Sequence, residues 1–380
     1  MIYFNWKRFL ADSFHAVFPF GRPHLRIDGH RARVLPMFFL CMLWMGGSGR
    51  LGLLVDHLLF PWFRRTPIVK PTFIVGNFRS GSTLLHRLLA RLPQITAMNT
   101  WEIYFAPSIA QRKFWKGLWI VDGWLGGHLR AAIMRAQDRQ LGSVKMHRVR
   151  LEEPEEDEGL FLYLWESLFN WFFVPRDAER NPYWRFDEAV PHWRRRKVMG
   201  FYREVIRRHM AVHGRASVYL SKSPAFTARL ASLLETFPDA RIIELARHPY
   251  DCVVSTAGWL AFAWHFFASP RERFPFLPTV LRMAREWYLR PGRFAQTLPS
   301  HQYVLICYED LVSRPTAVVP DALKRLGIVT NGTLELELER LQARPRTRRS
   351  HDHTLAELGV SEEEVAQFFQ PVMERFGYEA

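Results

Sequence analysis

Cysteine is scarce: the 380 residues hold three, Cys41, Cys252 and Cys307, widely spaced and in no metal or redox pattern. They supply neither a disulfide framework nor a zinc site. Reduced, buried thiols fit a cytoplasmic compartment. Acidic residues are short too, 37 against 52 Lys and Arg, and the resulting formal charge of +15 suits an anionic partner such as a nucleotide, a sulfated polymer or an acidic membrane. Nucleic acid is not expected, because the basic RPRTRR run near the C-terminus comes with no base-reading motif and no basic–aromatic stripe. Internal repeats and low-complexity tracts are missing. No uninterrupted apolar run reaches the ~20 residues of a spanning helix. The N-terminus does not read as a secretory signal, since its apolar stretch starts late and no small-residue cleavage site follows.

Apolar residues, by contrast, make up 48% of the chain, with 14 Trp and 30 Phe. That is enough for a sizeable core and excludes wholesale disorder. So many large aromatics either fill that core or line a greasy pocket or a surface that meets lipid. The first 70 residues hold ten Lys and Arg against three Asp. Within them, residues 34–45 are nearly all apolar, Gly46-Gly47-Ser48-Gly49-Arg50 interrupts, and a second apolar stretch, 51–63, carries Asp56 and His57. The pattern predicts an interrupted apolar hairpin with Trp44 and Trp62. Residues 34–63 then form either an interfacial or re-entrant contact at the inner membrane face, or a helical pair packed on the rest of the protein. A basic, aromatic helical segment is accordingly expected over residues 1–66 and the main domain over 67–380.

From Pro71 the character changes. Residues 72–76 (TFIVG), 241–246 (RIIELA) and 303–307 (YVLIC) read as short buried strands, and 217–221 (SVYLS) as a weaker one. Helical patterns fill 83–92, 155–173, 196–212, 225–236, 250–264, 279–289 and 361–375. Loops are expected at 174–195 and 268–278, the latter a candidate lid. Strands separated by helices predict an α/β fold with a central parallel sheet and helices on both faces, a three-layer arrangement, plus the N-terminal helical segment.

Two strand-to-helix junctions carry chemistry. At Gly76-Asn-Phe-Arg-Ser-Gly-Ser-Thr83 a strand gives way to a helix, where outward N–H groups bind phosphate. Gly81 allows close backbone approach, Ser80, Ser82 and Thr83 offer hydroxyls, and Arg79 a forked cation. The spacing mimics a nucleoside-triphosphatase loop, but Ser82 stands where that loop requires Lys, which disfavours ATP hydrolysis. At the second junction a strand ends near Ala246, Arg247 follows and Pro249 opens a helix, with Ser255 about two turns in. A cation and a hydroxyl so placed can clasp a terminal phosphate monoester.

The segment PTFIVGNFRSGSTLLHRLL (71–89) resembles the 5′-phosphosulfate loop of sulfotransferases, with Phe78 where proline is common and Ser82 where threonine is common. The resemblance runs from about residue 57 to the C-terminus and is densest at 71–102, 152–158, 219–258 and 303–315; residues 1–50 take no part. It implies a P-loop-like fold and 3′-phosphoadenosine 5′-phosphosulfate (PAPS) as co-substrate, without a metal. Arg79 to Thr83 would hold the 5′ end, Arg247 and Ser255 the 3′-phosphate, and Tyr308 the adenine. Lys222, in YLSKSPAF, matches a catalytic lysine that with Arg79 stabilises the leaving oxygen. Phe226 stands where many bacterial relatives have histidine. Glu102, in Asn-Thr-Trp-Glu, sits where several members place a catalytic carboxylate, with Glu155 or Glu156 of the EEPEEDE run (152–158) as the rival. His86 reads as a packed core histidine, and Arg346, Arg348 and Arg349 either reinforce the 3′-phosphate site or form a solvated face. The acceptor, a hydroxyl or amine, has no code in the sequence, though the aromatic helices point to a lipid or other amphiphile. The sequence also admits two other readings, a divergent P-loop kinase and a membrane-peripheral nucleotide-binding protein without transferase activity.

Overall fold

Runs of β-branched and large apolar residues can bury both faces of a strand, and here they build one all-parallel sheet. The computed structural model describes residues 3–18, 27–141, 150–173, 181–214, 217–267, 276–343 and 361–378. Its strands are β1 (Thr72–Gly76), β2 (Ile95–Thr96), β3 (Val218–Lys222), β4 (Arg241–Ala246) and β5 (Tyr303–Cys307), in the order β2-β3-β1-β4-β5. The two-residue β2 was not expected, being too short to show a period of its own.

Helices α1 (Trp6–Val17) and α2 (Arg31–Leu59) precede the sheet, and α3 (Ser82–Leu89) follows β1. The passage from β2 to β3 holds α4 (Thr100–Phe105), α5 (Ile109–Trp124), α6 (His128–Leu141), α7 (Asn170–Phe173), α8 (Phe186–Ala189) and α9 (His192–His213). Then come α10 (Leu230–Thr236) before β4, α11 (Pro249–Phe267) and α12 (Leu277–Ala295) before β5, and finally α13 (Tyr308–Ser313), α14 (Pro315–Arg325), α15 (Gly332–Gln342) and α16 (Glu362–Phe376).

Alternate strand residues serve the two faces. Phe73, Val75, Tyr219 and Ile242 pack with Val205 of α9, Leu233 of α10 and Val280 of α12. Ile74, Leu220, Ile243 and Ile306 pack with Leu85 of α3, Leu323 of α14 and Leu334 of α15. Each fully buried side chain of this kind contributes about 1.5–3 kcal/mol. The three expected layers are therefore present. Adjacent strands β1 and β4 send their following helices, α3 and α11, to opposite faces. The carboxyl ends of such a strand pair leave a crevice for a ligand.

Two expectations need correction. The helix predicted over 155–173 is instead a 3-10 helix, Asp157–Leu164, followed by the short α7. Consecutive carboxylates in it are pulled toward different partners, and Trp165, with φ at 57°, ends it in the left-handed region. The hairpin predicted over 34–63 is instead the single helix α2, running straight through its glycines. Gly in a helix interior costs about 1 kcal/mol, and here that cost is offset by close packing. A Cβ on Gly49 would lie 2.3 Å from the Tyr163 ring, and one on Gly52 would lie 2.4 Å from Ser108 Oγ. Asp28 accepts from the N–H groups of His30 and Arg31 at 3.0 and 2.8 Å and so caps the helix start.

Both N-terminal helices rest on the main domain. Asp56 accepts from the N–H groups of Ile109 and Ala110, both at 2.8 Å, and pairs with Arg208 at 2.9 Å. Asn5 donates to Glu166 at 2.9 Å. Among the described residues α2 is the one helix long and apolar enough to cross a membrane, with 33% of its most apolar window buried. The candidate lid falls almost wholly outside the described residues, as do Arg346, Arg348 and Arg349.

Candidate active site

The first junction forms because β1 must end at Gly76, whose φ of 133° and position against Leu245 O (2.2 Å from an added Cβ) leave no room for a side chain. Thr227 Oγ1 ties both its backbone groups, at 2.9 Å each. The chain then turns through Arg79 (φ 64°) and Gly81 (φ 89°) into α3. A non-glycine residue held in the left-handed region costs of order 1 kcal/mol or more and is characteristic of binding turns. Ser80 is fully buried and its hydroxyl lacks a hydrogen-bond partner. Ser82 and Thr83 occupy the first turn of α3, where N–H groups have no helical partners.

The second junction lies against the first. Arg247 Nη1 donates to the carbonyl oxygen of Arg79 at 3.3 Å, and Arg79 Nε donates to Ser255 Oγ at 2.8 Å. Tyr308, at the start of α13, fills the space between them. Its ring lies 4.6 Å beneath the Arg247 guanidinium, and a Cβ on Gly81 would meet it at 2.4 Å. Asp251 holds Arg247 Nη2 at 2.8 Å, and Tyr288 donates to the Arg247 carbonyl at 2.6 Å. Residues from three strand ends thus share one cleft.

Lys222 ends β3 in register with Ile74 of β1. Its side chain is 1% exposed, and its ammonium pairs with Glu156 Oε1 at 2.7 Å; Glu156 is 14% exposed. The next two carboxylates are fully buried. Asp157 accepts from Tyr219 at 2.6 Å and from Tyr202, and burial raises its pKa to about 6 against the pull of those hydroxyls. Glu158 pairs with Arg229 at 3.0 Å. Phe226 packs into the core among Phe73, Phe161 and Tyr202, away from any proton transfer. Phe78 lies between Trp259 and Trp287, its ring tilted against both with ring centres 5.4 Å away on each side, so the turn at 76–83 is backed by buried aromatics.

Glu102 does not join this group. It is fully buried, and its carboxylate caps its own helix by accepting from Asn99 N at 3.0 Å. The same carboxylate pairs with His213 at 2.7 Å and with Arg112 at 3.5 Å. Burial alone would raise its pKa, yet Arg112, His209 and His213 hold it well below the usual carboxylate range. A carboxylate so committed is a poor base. Glu102, His209 and His213 offer atoms within 4.8 Å of one another, a spacing that could hold a cation. Arg112 already supplies the positive charge there and donates to His209 Nδ1 at 3.1 Å.

The sequence profile of the sulfotransferase family matches residues 71–331, well over half the chain and all of the cleft described above. The chain belongs to the sulfotransferase family. A curated relative, omega-hydroxy-beta-dihydromenaquinone-9 sulfotransferase Stf3 of Mycobacterium tuberculosis, is 22% identical over 81% of this chain and 75% of that protein. Its Mycobacterium bovis counterpart matches equally. Among solved structures, sulfotransferase STF1 of M. tuberculosis superposes with a TM-score of 0.74 at 18% identity, covering 97% of this chain and 92% of that one. Sulfotransferase STF9 of Mycobacterium avium gives 0.70 at 20% identity, over 87% and 82%. These structural likenesses bear on the fold.

The family implies PAPS as donor, and the cleft of this sulfotransferase fits such a molecule. The buried, unpaired hydroxyl of Ser80 and the first-turn N–H groups of α3 are what a closely held phosphosulfate needs. Sequence reading did not find the roles of Asp251 and Tyr288 or the Tyr202–Tyr219–Asp157 network; the partners of Tyr288 and within the network lie far apart along the chain. Asp251 could have been noticed as the helical (i, i+4) partner of Arg247.

Proposed function

We propose that this sulfotransferase binds PAPS across the two junctions and passes its sulfuryl group to a hydroxyl of a lipid or amphiphile. The contact between Arg247 and the Arg79 carbonyl carries the reading, because it makes one cleft of two motifs 168 residues apart. Arg79, Ser80 and the N–H groups of Gly81 to Thr83 hold the 5′ end. Arg247 and Ser255 hold the 3′-phosphate, which displaces Asp251, and Tyr308 packs at the adenine.

Bound there, the donor supplies a sulfuryl group on a phosphate leaving group. Lys222 and Arg79 point positive charge at the bridging oxygen as the sulfur–oxygen bond to phosphate breaks and the bond to the acceptor oxygen forms. Glu156, partly exposed and beside Lys222, accepts the acceptor's proton, and adenosine 3′,5′-bisphosphate departs. Support for an apolar acceptor comes from the partly exposed Trp259, packed on Phe78 next to the turn at 76–83, and from the menaquinone derivative in the name of the distant relative.

Titration calorimetry with adenosine 3′,5′-bisphosphate, adenosine 5′-phosphate and ATP tests the donor assignment. The bisphosphate binds best, and Arg247→Ala weakens it by about 10- to 100-fold, the worth of a charge-assisted contact, while leaving the 5′-phosphate nearly unchanged. Equal binding of ATP and the bisphosphate would sink the assignment. Labelled donor offered to lipid extracts and to soluble sugars and phenols tests the acceptor: labelling confined to the soluble compounds would end the lipid reading.

A further inference from the structure

Helix α2 is apolar on both sides. Toward the protein it buries Leu35, Phe38, Met45 and Leu53 together with Arg31, Gly46, Gly49, Gly52 and Asp56. A second set of large apolar residues faces away: Leu40, Leu43, Trp44, Leu51, Leu54 and Leu58 are exposed, Leu58 at 80%. Spaced at helical period, they form one stripe ~27 Å long. A soluble surface helix keeps its outward face polar.

The stripe is not alone. Phe114, Ile120 and Trp124 are exposed on α5, Trp124 at 81%, and Trp6, Leu10 and Phe14 are exposed on α1. The elements touch: Trp44 lies 5.8 Å from the exposed Phe105, Lys113 Nζ 5.3 Å from the Phe60 ring, and Phe9 6.4 Å from Phe39. Of the large apolar residues exposed among the described ones, all but Trp193, Leu305, Val329 and Leu336 lie between Trp6 and Leu129. Charge on these elements is equally one-sided. Lys7, Arg33, Arg64, Arg65, Lys113 and Lys116 are exposed, whereas of the carboxylates between Tyr3 and Arg130 only Asp28 is.

We propose that the outer faces of α1, α2 and α5 dock on an anionic lipid bilayer, with α2 lying in the plane of the interface. Acidic headgroups accept the lysines and arginines while the Trp, Phe and Leu side chains enter the acyl boundary. Charge selects this occupant over a second copy of the chain, since a two-fold contact would press the same basic patch against itself. The buried ion pair selects lying over spanning. Freeing α2 from the domain would strand Asp56 without Arg208 and without the N–H groups of Ile109 and Ala110. Through Gly49 and Tyr163, α2 also bears on the 3-10 helix that begins beside Glu156, so one short buried segment joins the docked face to the cleft. The inference goes beyond sulfuryl transfer and is read without donor or acceptor.

Co-sedimentation of the full-length protein with phosphatidylcholine vesicles, alone or with about one third phosphatidylglycerol, tests it. Anionic vesicles bind at least tenfold more tightly than neutral ones, and Lys113→Glu with Lys116→Glu cuts that preference by about tenfold or more. Leu51→Glu with Leu58→Glu, both outside the cleft, reduces vesicle binding at least tenfold and leaves adenosine 3′,5′-bisphosphate binding unchanged. Wild-type protein left in the supernatant by anionic vesicles overturns the proposal, as does unimpaired binding by the leucine variant. A dimer that the leucine variant dissolves, without vesicle binding, assigns the face to a second copy instead. Retention in membranes through alkaline carbonate extraction overturns the in-plane position. Vesicle binding by a protein that fails to bind the bisphosphate leaves this inference standing and removes the donor assignment.

Discussion

At the carboxyl edge of the sheet, polar groups are turned inward: Ser80, Lys222 and Asp157 are buried where a globular core would place leucine. On α1, α2 and α5 the inversion runs the other way, with leucines and tryptophans outward and glycines and an aspartate inward. Each region breaks the usual sorting of residues by polarity, and each break has a physical meaning. Buried polar atoms without full partners are tolerated where an anionic ligand completes them. Exposed apolar stripes beside basic residues are tolerated where an anionic apolar phase covers them. The first region is fixed by ion pairs and strand ends. The second is fixed by close packing at glycines.

The largest expected effect would break the assignment at the sheet edge. Glu156→Gln lowers kcat by about 10²- to 10⁴-fold, the usual worth of a positioned base, and also lowers the melting temperature, because it leaves the buried Lys222 without its carboxylate. Glu102→Gln costs about 3–5 kcal/mol of stability by leaving Arg112 without its buried carboxylate, while kcat per folded molecule holds. Steady-state rates paired with urea melts separate the two, and a catalytic collapse in the Glu102 variant alone would restore that residue as the base.

Lys222→Ala comes next, lowering kcat by about 10²- to 10³-fold, as loss of one preorganised contact at a developing charge does; bisphosphate binding measured in parallel persists. On the N-terminal side, Gly49→Ala forces a methyl group into the Tyr163 ring and destabilises the fold by about 1–3 kcal/mol, read by thermal melting. Gly47→Ala, with nothing near the added Cβ, is neutral or stabilising by comparison.

The smallest effect is on pH. Burial, with Lys222 nearby, lowers the pKa of His86 from 6.5 to about 3, and burial lowers that of His209 from 6.5 to about 4. The unfolded chain takes up protons on both histidines below 6.5, and the folded chain does not until these lower values. Stability is therefore full above pH 6.5 and falls as pH drops through that window. Melting temperature declines from about pH 7 to about pH 5, and His86→Leu flattens part of the decline. A slope unchanged in that variant would show His86 to be no part of it.

Legibility differed between the regions for a local reason. The strand-to-helix turns at 76–83 and 246–249 could be read because such a junction needs particular residues at fixed short spacings. The short apolar strands were readable for the same reason, since a run of β-branched residues states its own burial. The glycines at 46–49 misled because glycine serves equally as a helix breaker and as a contact surface. Which role it plays depends on Tyr163, more than a hundred residues away. The acidic run at 152–158 likewise looks like a helix start until Lys222, Tyr219 and Arg229 draw Glu156, Asp157 and Glu158 apart.

By itself the sequence determined the α/β class, the two strand-to-helix junctions and the lysine at the end of β3, all properties carried by neighbours along the chain. Tertiary structure alone decided which carboxylate pairs with that lysine and which lies committed elsewhere in the interior. It also decided that the N-terminal apolar stretches form one helix with an apolar stripe left outward. Those outcomes depend on partners distant in sequence, and a carboxylate's basicity or a glycine's role follows from what is packed against it.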